Sequence, residues 1–285
     1  MKFLRRLTGA VAYMFHALYR ASVIRGTSRL PRRRIVWTYL KLKAKHFLIK
    51  LIPGVRFQRE KLFGKEVSFF DYFTLVCLYE TIFVNQDYAF ESAAARPLVI
   101  DCGSNVGLSV LFQKIEHPDC RVLAFEPDPR TFAVLEQNVA VQGLRDVQLH
   151  NRAVFSAAGP VDFHHDPAKP GSVCMSLRSE RMPATQTVEA VTLSSFMDEE
   201  VDFLKLDVEG AEMAVLEEVA RSGKLRLIRE MAVEYHHHVA PTENRFSEFL
   251  RLLEANGFGY EIAAYPERPM YRERFQDILV YAYRQ

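Results

Sequence analysis

Cysteine is scarce in this 285-residue chain: four residues, at 77, 102, 120 and 174, with no C-x-x-C pair among them. Such a set reads as reduced, mostly buried thiols of an intracellular protein rather than a disulfide framework. No run of about 18 uninterrupted apolar residues occurs, so no membrane-spanning helix is expected. The G-x-G-x-x-G fingerprint of dinucleotide binding is missing. Acidic residues are nearly absent from the first 65 positions, where Glu60 stands alone against 17 Lys and Arg. Residues 66–285 reverse the balance, with 20 basic and 34 acidic residues. The near-neutral total of +2 therefore hides a basic arm on an acidic domain. A hydrophobic content of 49% supplies a sizeable core.

The basic arm, residues 1–54, reads as a helical extension of amphipathic character. Leu4, Leu7, Val11, Met14 and Leu18 recur at helical spacing; Val36, Leu40, Phe47 and Leu51 do so again after Arg32-Arg33-Arg34, and Pro53-Gly54 ends the pattern. A peripheral contact of residues 1–52 with an anionic membrane, a homo-oligomer contact and a cap on the domain all fit. A secretory signal fits poorly, because His16 and Arg20 interrupt its apolar middle. No RNA-binding motif or aromatic platform accompanies the charge, so nucleic acid is not expected as a partner. The expected location is the cytoplasm, with an option of the inner membrane face.

Residues 55–97 form a lead-in. Val55 and Phe57, then Val67 and Phe69, suggest a hairpin turning at Phe63-Gly64-Lys65. Residues 71–84 predict a helix with Phe73, Val76, Cys77, Tyr79 and Phe83 on its apolar face. Tyr88 and Phe90 follow in a loop suited to cover a ligand or simply to pack.

Residues 98–285 form the main domain, organised around Leu98-Val99-Ile100-Asp101-Cys102-Gly103-Ser104-Asn105-Val106-Gly107. A short apolar run ending in an acid, a glycine turn and then Leu108, Val110, Leu111 and Ile115 at helical spacing make a strand–turn–helix unit. Its glycines admit a ligand to the backbone. Asp101 ahead of the turn suits a cationic ligand better than a phosphate. S-adenosylmethionine (SAM), with an ammonium, a sulfonium and no phosphate, fits that charge. The second strand, 122–126, also ends in an acid, Glu126, nineteen residues beyond Gly107, where a carboxylate accepts ribose hydroxyls in doubly wound folds. Asp128-Pro129 opens the next helix and Gly143 ends it. Strand three spans 147–151. Residues 152–191 read as small hairpins and an exposed loop bordering the substrate. Strand four, 201–207, ends in Asp207, with Glu209 and Glu212 following. Strand five, 231–235, runs into His236-His237-His238. Thr242 is a candidate cap for the last helix, and residues 260–265 and 278–283 suggest a closing antiparallel pair. Alternating strands and helices argue a three-layer α/β sandwich.

Four tracts carry a more specific likeness: Val99 to Gly107, Ala124-Phe125-Glu126-Pro127, Asn151-Arg152-Ala153-Val154, and Leu204 to Glu212 with its D-V-E-G-A-E core. In this order they resemble the FkbM family of SAM-dependent methyltransferases over roughly residues 70–240, with Ser104 where the family often has alanine. The resemblance implies a Rossmann-like class I methyltransferase fold, with a seven-stranded, mostly parallel sheet binding SAM at its strand ends. It implies that Gly103, Asn105 and Gly107 shape the turn at the methionine end, flanked by Asp101 and Ser104. Glu126, followed by Pro127, would hold the ribose, Asn151 would lie beside the adenine, and Asp207 would border the cofactor. Family members often methylate hydroxyls of sugars or small metabolites.

Methyl transfer is an in-line displacement that an alcohol performs poorly without a base or a metal. Asp207, Glu209 and His236 are the candidate catalytic residues, since they follow the ends of strands four and five. Asp207, Glu234 and a histidine have the ligand types for a divalent metal, yet no spacing demands one and none is expected. The expected acceptor is a sugar, glycolipid or small metabolite. Two rivals remain at this point: a dinucleotide-dependent oxidoreductase, which Glu126 alone would allow, and a non-catalytic SAM-fold adaptor at a membrane surface.

Overall fold

A computed structural model describes residues 15–27, 29–52, 54–166, 171, 184–237, 245–264 and 276–285. The centre is a seven-stranded sheet. Its strands are β3 (Leu98–Cys102), β4 (Arg121–Phe125), β5 (Val147–His150), β9 (Val201–Leu206), β10 (Ile228–His237), β11 (Phe258–Ala264) and β12 (Gln276–Arg284), in the spatial order β11-β12-β10-β9-β3-β4-β5. Neighbours from β10 to β5 are parallel, while β12 runs antiparallel to both β10 and β11. The expected α/β sandwich is what the chain forms, with the closing antiparallel pair in place. β3 and β9 are buried along their whole length, which is why their sequences read as near-continuous apolar runs.

The sheet reverses direction of growth at β3: β4 and β5 lie to one side, β9 and β10 to the other. In such sheets the strand ends beside the reversal open into a crevice. Helices α4 (Leu108–Glu116), α5 (Pro129–Gln142), α6 (Glu212–Arg221) and α7 (Phe246–Ala255) cover the faces. Asp128 caps α5 by accepting from the Thr131 amide, with Pro129 at the first helical position. Gly143 ends α5 in the left-handed conformation. Arg245 rather than Thr242 precedes α7; Thr242 lies outside the described residues.

Residues 152–166 and 184–191 are more regular than the sequence suggests; the stretch expected to be an exposed loop lies mostly outside the described residues. β6 (Ala153–Phe155), β7 (Gly159–His165) and β8 (Ala184–Thr192) make a separate three-stranded sheet, β8 central, antiparallel to β7 and parallel to β6. The parallel pair joins strands far apart in the sequence, a pairing that local alternation does not reveal.

The lead-in is a hairpin, β1 (Arg59–Leu62) with β2 (Lys65–Ser68), followed by α3 (Tyr72–Tyr79). Asp71 caps α3 by accepting from the amides of Phe73 and Thr74. The helix does not run on regularly to residue 84. It widens into a π-type turn over Glu80–Asn85 that Gln86 closes with φ +64°. Val76, Tyr79 and Phe83 are buried as expected, but Phe73 is exposed.

In the arm, α1 is described over residues 15–23 and α2 spans Arg32–Leu51. The buried faces follow the apolar stripes only in part. Ala17, Ala21 and Ile24 face the core while Leu18 is exposed; Leu4, Leu7, Val11 and Met14 lie outside the described residues. In α2 the fully buried set is Ile35, Thr38, Tyr39, Leu42, Lys43 and His46; Val36 and Leu40 are partly buried against the same core, Phe47 is half-buried and Leu51 is exposed. Two acids, Glu60 buried and Glu80 half-buried, account for this in α2. Glu80 accepts from Tyr39 Oη at 2.8 Å and Lys43 Nζ at 2.9 Å. Glu60 accepts from Lys41 Nζ at 3.1 Å and Lys45 Nζ at 2.8 Å. Partnered cations displace part of the apolar stripe, because a buried carboxylate needs them. α2 thus packs on the lead-in.

Candidate active site

The Gly103 turn is forced by close packing. Its φ is +85°, and a Cβ there would lie 1.9 Å from the Asp207 carbonyl oxygen, so only glycine lets the turn meet the end of β9. The amides of Gly103 and Ser104 both donate to the Phe125 carbonyl, at 3.0 and 2.9 Å. Asn105 follows with φ +47°, and its amide donates to Glu126 Oε2 at 3.0 Å. Gly107 precedes α4 with φ +87°, and a Cβ there would press on Leu135. The turn therefore hangs from the end of β4, and Glu126 is tied to it.

A cleft opens above these strand ends. Gly103, Ser104, Asn105, Glu126 and Pro127 line one part; Asp207, Glu209, Glu234, His236 and Asp277 line another. The π-type turn contributes Thr81 and Ile82, Tyr88 arches in from the lead-in, and Arg152 and Phe163 border the small sheet. Three of the sequence candidates sit behind this lining. Gly107 shapes the helix entry. Asn151 donates from Nδ2 to the carbonyls of Glu126 and Pro127, at 2.9 and 3.0 Å, and so braces the end of β4. Asp101 is 1% exposed; its Oδ2 accepts from Ser109 Oγ at 2.5 Å and its Oδ1 faces Lys205 Nζ at 3.6 Å.

Lys205 is a site residue that motif reading passed over. A lysine inside the apolar run Phe203 to Leu206 is the signal that could have found it. It is buried, donates from Nζ to the Gly103 carbonyl at 2.7 Å and to Asp207 Oδ2 at 3.1 Å, and lies 5.1 Å from the centre of the Tyr88 ring. Burial opposes its charge, but Asp207, Asp101 and Glu234 outweigh that and hold its pKa above the usual lysine value. It locks the first strand–turn unit to β9.

Glu126 is buried with its two oxygens on the Asn105 and Asp128 amides, each at 3.0 Å. Burial pushes its pKa up to about 8, against the pull of those two amides. Glu234 accepts from the Tyr88 hydroxyl, and burial, reinforced by Asp207, moves it up to about 7.

The densest group surrounds His236, at the end of β10. Glu212, in the first turn of α6, meets its Nδ1 at 2.8 Å. Glu209 Oε2 lies 3.3 Å from Nε2, Asp277 Oδ1 at 3.7 Å and Asp207 Oδ1 at 4.0 Å. Glu209 reaches inward from a turn in which it adopts φ +54° and Gly210 φ +100°. Burial works against a charged imidazole here, yet Glu212, Glu209 and Asp207 raise its pKa well above the ordinary histidine value. Burial likewise raises Glu209, with Asp207 and Glu212 adding to it. Asp207, Glu209 and His236 thus meet in space. Glu234 stands apart from that trio, on Tyr88, so the metal set weighed from sequence is not the one the fold assembles. His238 lies outside the described residues. Glu212 and Asp277 were not foreseen as partners, the first because it reads as a helix-start acid and the second because β12 is remote in sequence.

A family model described as the methyltransferase FkbM domain matches residues 101–260. Among curated proteins, the chain is 30% identical over 215 residues to 31-O-demethyl-FK506 methyltransferase FkbM of Streptomyces tacrolimicus, covering 64% of this chain and 80% of that protein. It is 28% identical over 191 residues to methyltransferase sdnD of Sordaria araneosa, with coverages of 55% and 73%. It is 26% identical over 214 residues to methyltransferase 1 of Beauveria bassiana, with coverages of 67% and 82%.

Proposed function

Because this chain belongs to the FkbM methyltransferase family, we propose that it moves the methyl group of SAM to a hydroxyl of a sugar, glycolipid or small metabolite. The observation that carries this reading is the division of one cleft between two chemistries. Glu126, with the Gly103–Asn105 turn, offers a carboxylate and close backbone for the ribose and the adjoining chain of SAM. Asp207, Glu209 and His236 offer the polar group against which an acceptor hydroxyl sits. A dinucleotide-dependent oxidoreductase loses its support once the family is a methyltransferase.

When bound, SAM supplies the electrophilic carbon. The protein's task is to aim the acceptor oxygen at it and to keep water out. Tyr88, held by Glu234, forms a wall of the cleft beside Lys205. His236, fixed by Glu212, holds Nε2 toward Asp207 and Glu209, and a carboxylate of this group takes up the acceptor's proton. Substituting Glu126 by Ala removes the ribose acceptor and is expected to weaken SAM binding by about 100-fold, the worth of two hydrogen bonds to a charged group. Calorimetry checks this, and an unchanged affinity refutes the ribose role.

A second reading concerns where the reaction happens, and the arm favours it. Trp37 is 73% exposed, and Leu48, Leu51 and Ile52 are exposed at compatible helical spacing on α2, with Arg33 and Lys50 exposed nearby. An apolar strip beside cations suits the surface of an anionic membrane at the cytoplasmic side. No helix among the described residues is long and apolar enough to cross a membrane. The same strip would serve a homo-oligomer, and a non-catalytic adaptor would use it without turnover. Sedimentation with anionic vesicles, paired with a methyl-transfer assay, separates the three.

A further inference from the structure

We propose that Asp207, Glu209 and His236 form a binding site for one divalent cation, with Asp277 at its open side, and that this cation grips an acceptor bearing two neighbouring oxygens. The inference deepens the acceptor half of the proposed function and rests on that reading only for the acceptor, not for the cation.

The distances come first. One carboxylate oxygen from each of Asp207 and Glu209 and one nitrogen of His236 lie within 4.8 Å of one another. Nε2 is 3.3 Å from Glu209 and 4.0 Å from Asp207. Two ligands bound to one cation at about 2.1 Å each stand about 3 to 4 Å apart. The three atoms therefore need little movement to share an ion. Asp277 Oδ1, 3.7 Å from Nε2, supplies a further carboxylate from the antiparallel strand β12.

The tautomer comes second. Nδ1 faces Glu212 at 2.8 Å, and Glu212 also accepts from the Gly210 amide at 2.8 Å. A carboxylate on one imidazole nitrogen that leaves the other pointing at acids is the arrangement that orients a metal-binding histidine. Nε2 is thereby left facing Glu209, Asp277 and Asp207, the side on which an ion would sit.

Charge comes third. Asp101, Asp207, Glu209, Glu212, Glu234 and Asp277 converge at this end of the sheet, against Lys205 and His236. Lys205 is occupied by the Gly103 carbonyl, Asp207 and Asp101. A cation there would join them on the positive side.

Carboxylates with a single imidazole suit Mn²⁺ or Zn²⁺ better than a thiol-seeking ion. Because Asp207, Glu209, His236 and Asp277 all line the cleft, the ion's remaining positions face it. Two adjacent hydroxyls, or a hydroxyl beside a carbonyl, would fill them. The ion would then hold the acceptor rigidly and draw electron density from its hydroxyl.

The probe is Mn²⁺, followed by electron paramagnetic resonance on the full chain, with Zn²⁺ and Mg²⁺ as competitors. One Mn²⁺ per chain is expected to bind at micromolar concentration. Glu209→Gln and His236→Gln should each weaken it at least 10-fold, and Glu212→Gln, acting through the histidine, should weaken it less. Melting curves identify any variant that fails to fold. Wild-type protein that takes up no Mn²⁺ or Zn²⁺ at millimolar concentration overturns the site. So does Mn²⁺ binding that Glu209→Gln and His236→Gln leave unchanged. SAM titrations on the same samples separate the two readings: SAM binding without cation binding defeats this inference alone, whereas cation binding without SAM binding defeats the methyltransferase reading alone.

Discussion

The two ends of the cleft are built in opposite ways. At the Glu126 end the structure is mostly backbone: two amides on one carboxylate, two more on the Phe125 carbonyl, and a glycine that nothing larger can replace. At the His236 end it is mostly side chains, with carboxylates from the turn after β9, from the start of α6 and from β12 turned toward one imidazole. Backbone geometry tolerates almost no substitution but carries little charge. The side-chain cluster carries much charge, and its balance changes with every proton or ion. The first design suits an invariant cofactor, the second an acceptor whose oxygen must change its protonation.

That contrast predicts the largest effect at the backbone end. Gly103→Ala would drive a methyl group onto the Asp207 carbonyl in a conformation that L-residues rarely adopt. It should cost about 3 kcal/mol or more of folding stability. Denaturant titration measures it; a loss below about 1 kcal/mol would mean that β3 and β9 are free to part.

A smaller effect follows from the Glu126 acid, which burial moves up to about 8. Ribose hydroxyls donate, so they favour the carboxylate. In the free protein that carboxylate is the minor form below about pH 8 and the major form above it. SAM affinity should therefore rise by about 10-fold for each pH unit below 8 and flatten above it. The same shift acts on stability with its own sign. The folded state holds this proton between the ordinary carboxyl value and about 8, so Glu126 makes the free protein less stable as pH rises through that window. Glu126→Gln should then melt a few degrees above wild type at pH 9, with the gap closing toward pH 5. A flat SAM profile would show that another group recognises the ribose.

The smallest expected effect lies in the arm. Deleting residues 1–52 is a poor test of membrane contact, since α2 buries Ile35, Tyr39 and Leu42 against the lead-in. Trp37→Ala removes only an exposed ring. It should weaken binding to anionic vesicles by about 5-fold while leaving SAM affinity alone. Equal vesicle binding by the variant would assign the strip to another partner.

The same contrast explains what was legible in the sequence. The strand–turn–helix at 98–115 and the acid at 126 are local patterns, each written in a few consecutive residues. The closing antiparallel pair was legible for the same reason. The His236 cluster was not, because Glu212 and Asp277 reach it through tertiary packing from 24 residues before and 41 after. The direction of the Asn151 side chain was not legible either: an amide at a strand end can turn outward or back to the neighbouring carbonyls, and here it turns back. In α2, apolar spacing marked only part of the buried face, which also takes in Lys43 and His46. Spacing does not register the pull of Glu60 and Glu80 on the lysines between.

Calorimetric titration of the full chain with SAM and, separately, with NAD tests the central claim most directly. One SAM per chain should bind in the micromolar range, with that binding reduced about 100-fold in Glu126→Ala and NAD giving no heat. Tight NAD binding by a chain that ignores SAM would contradict the account.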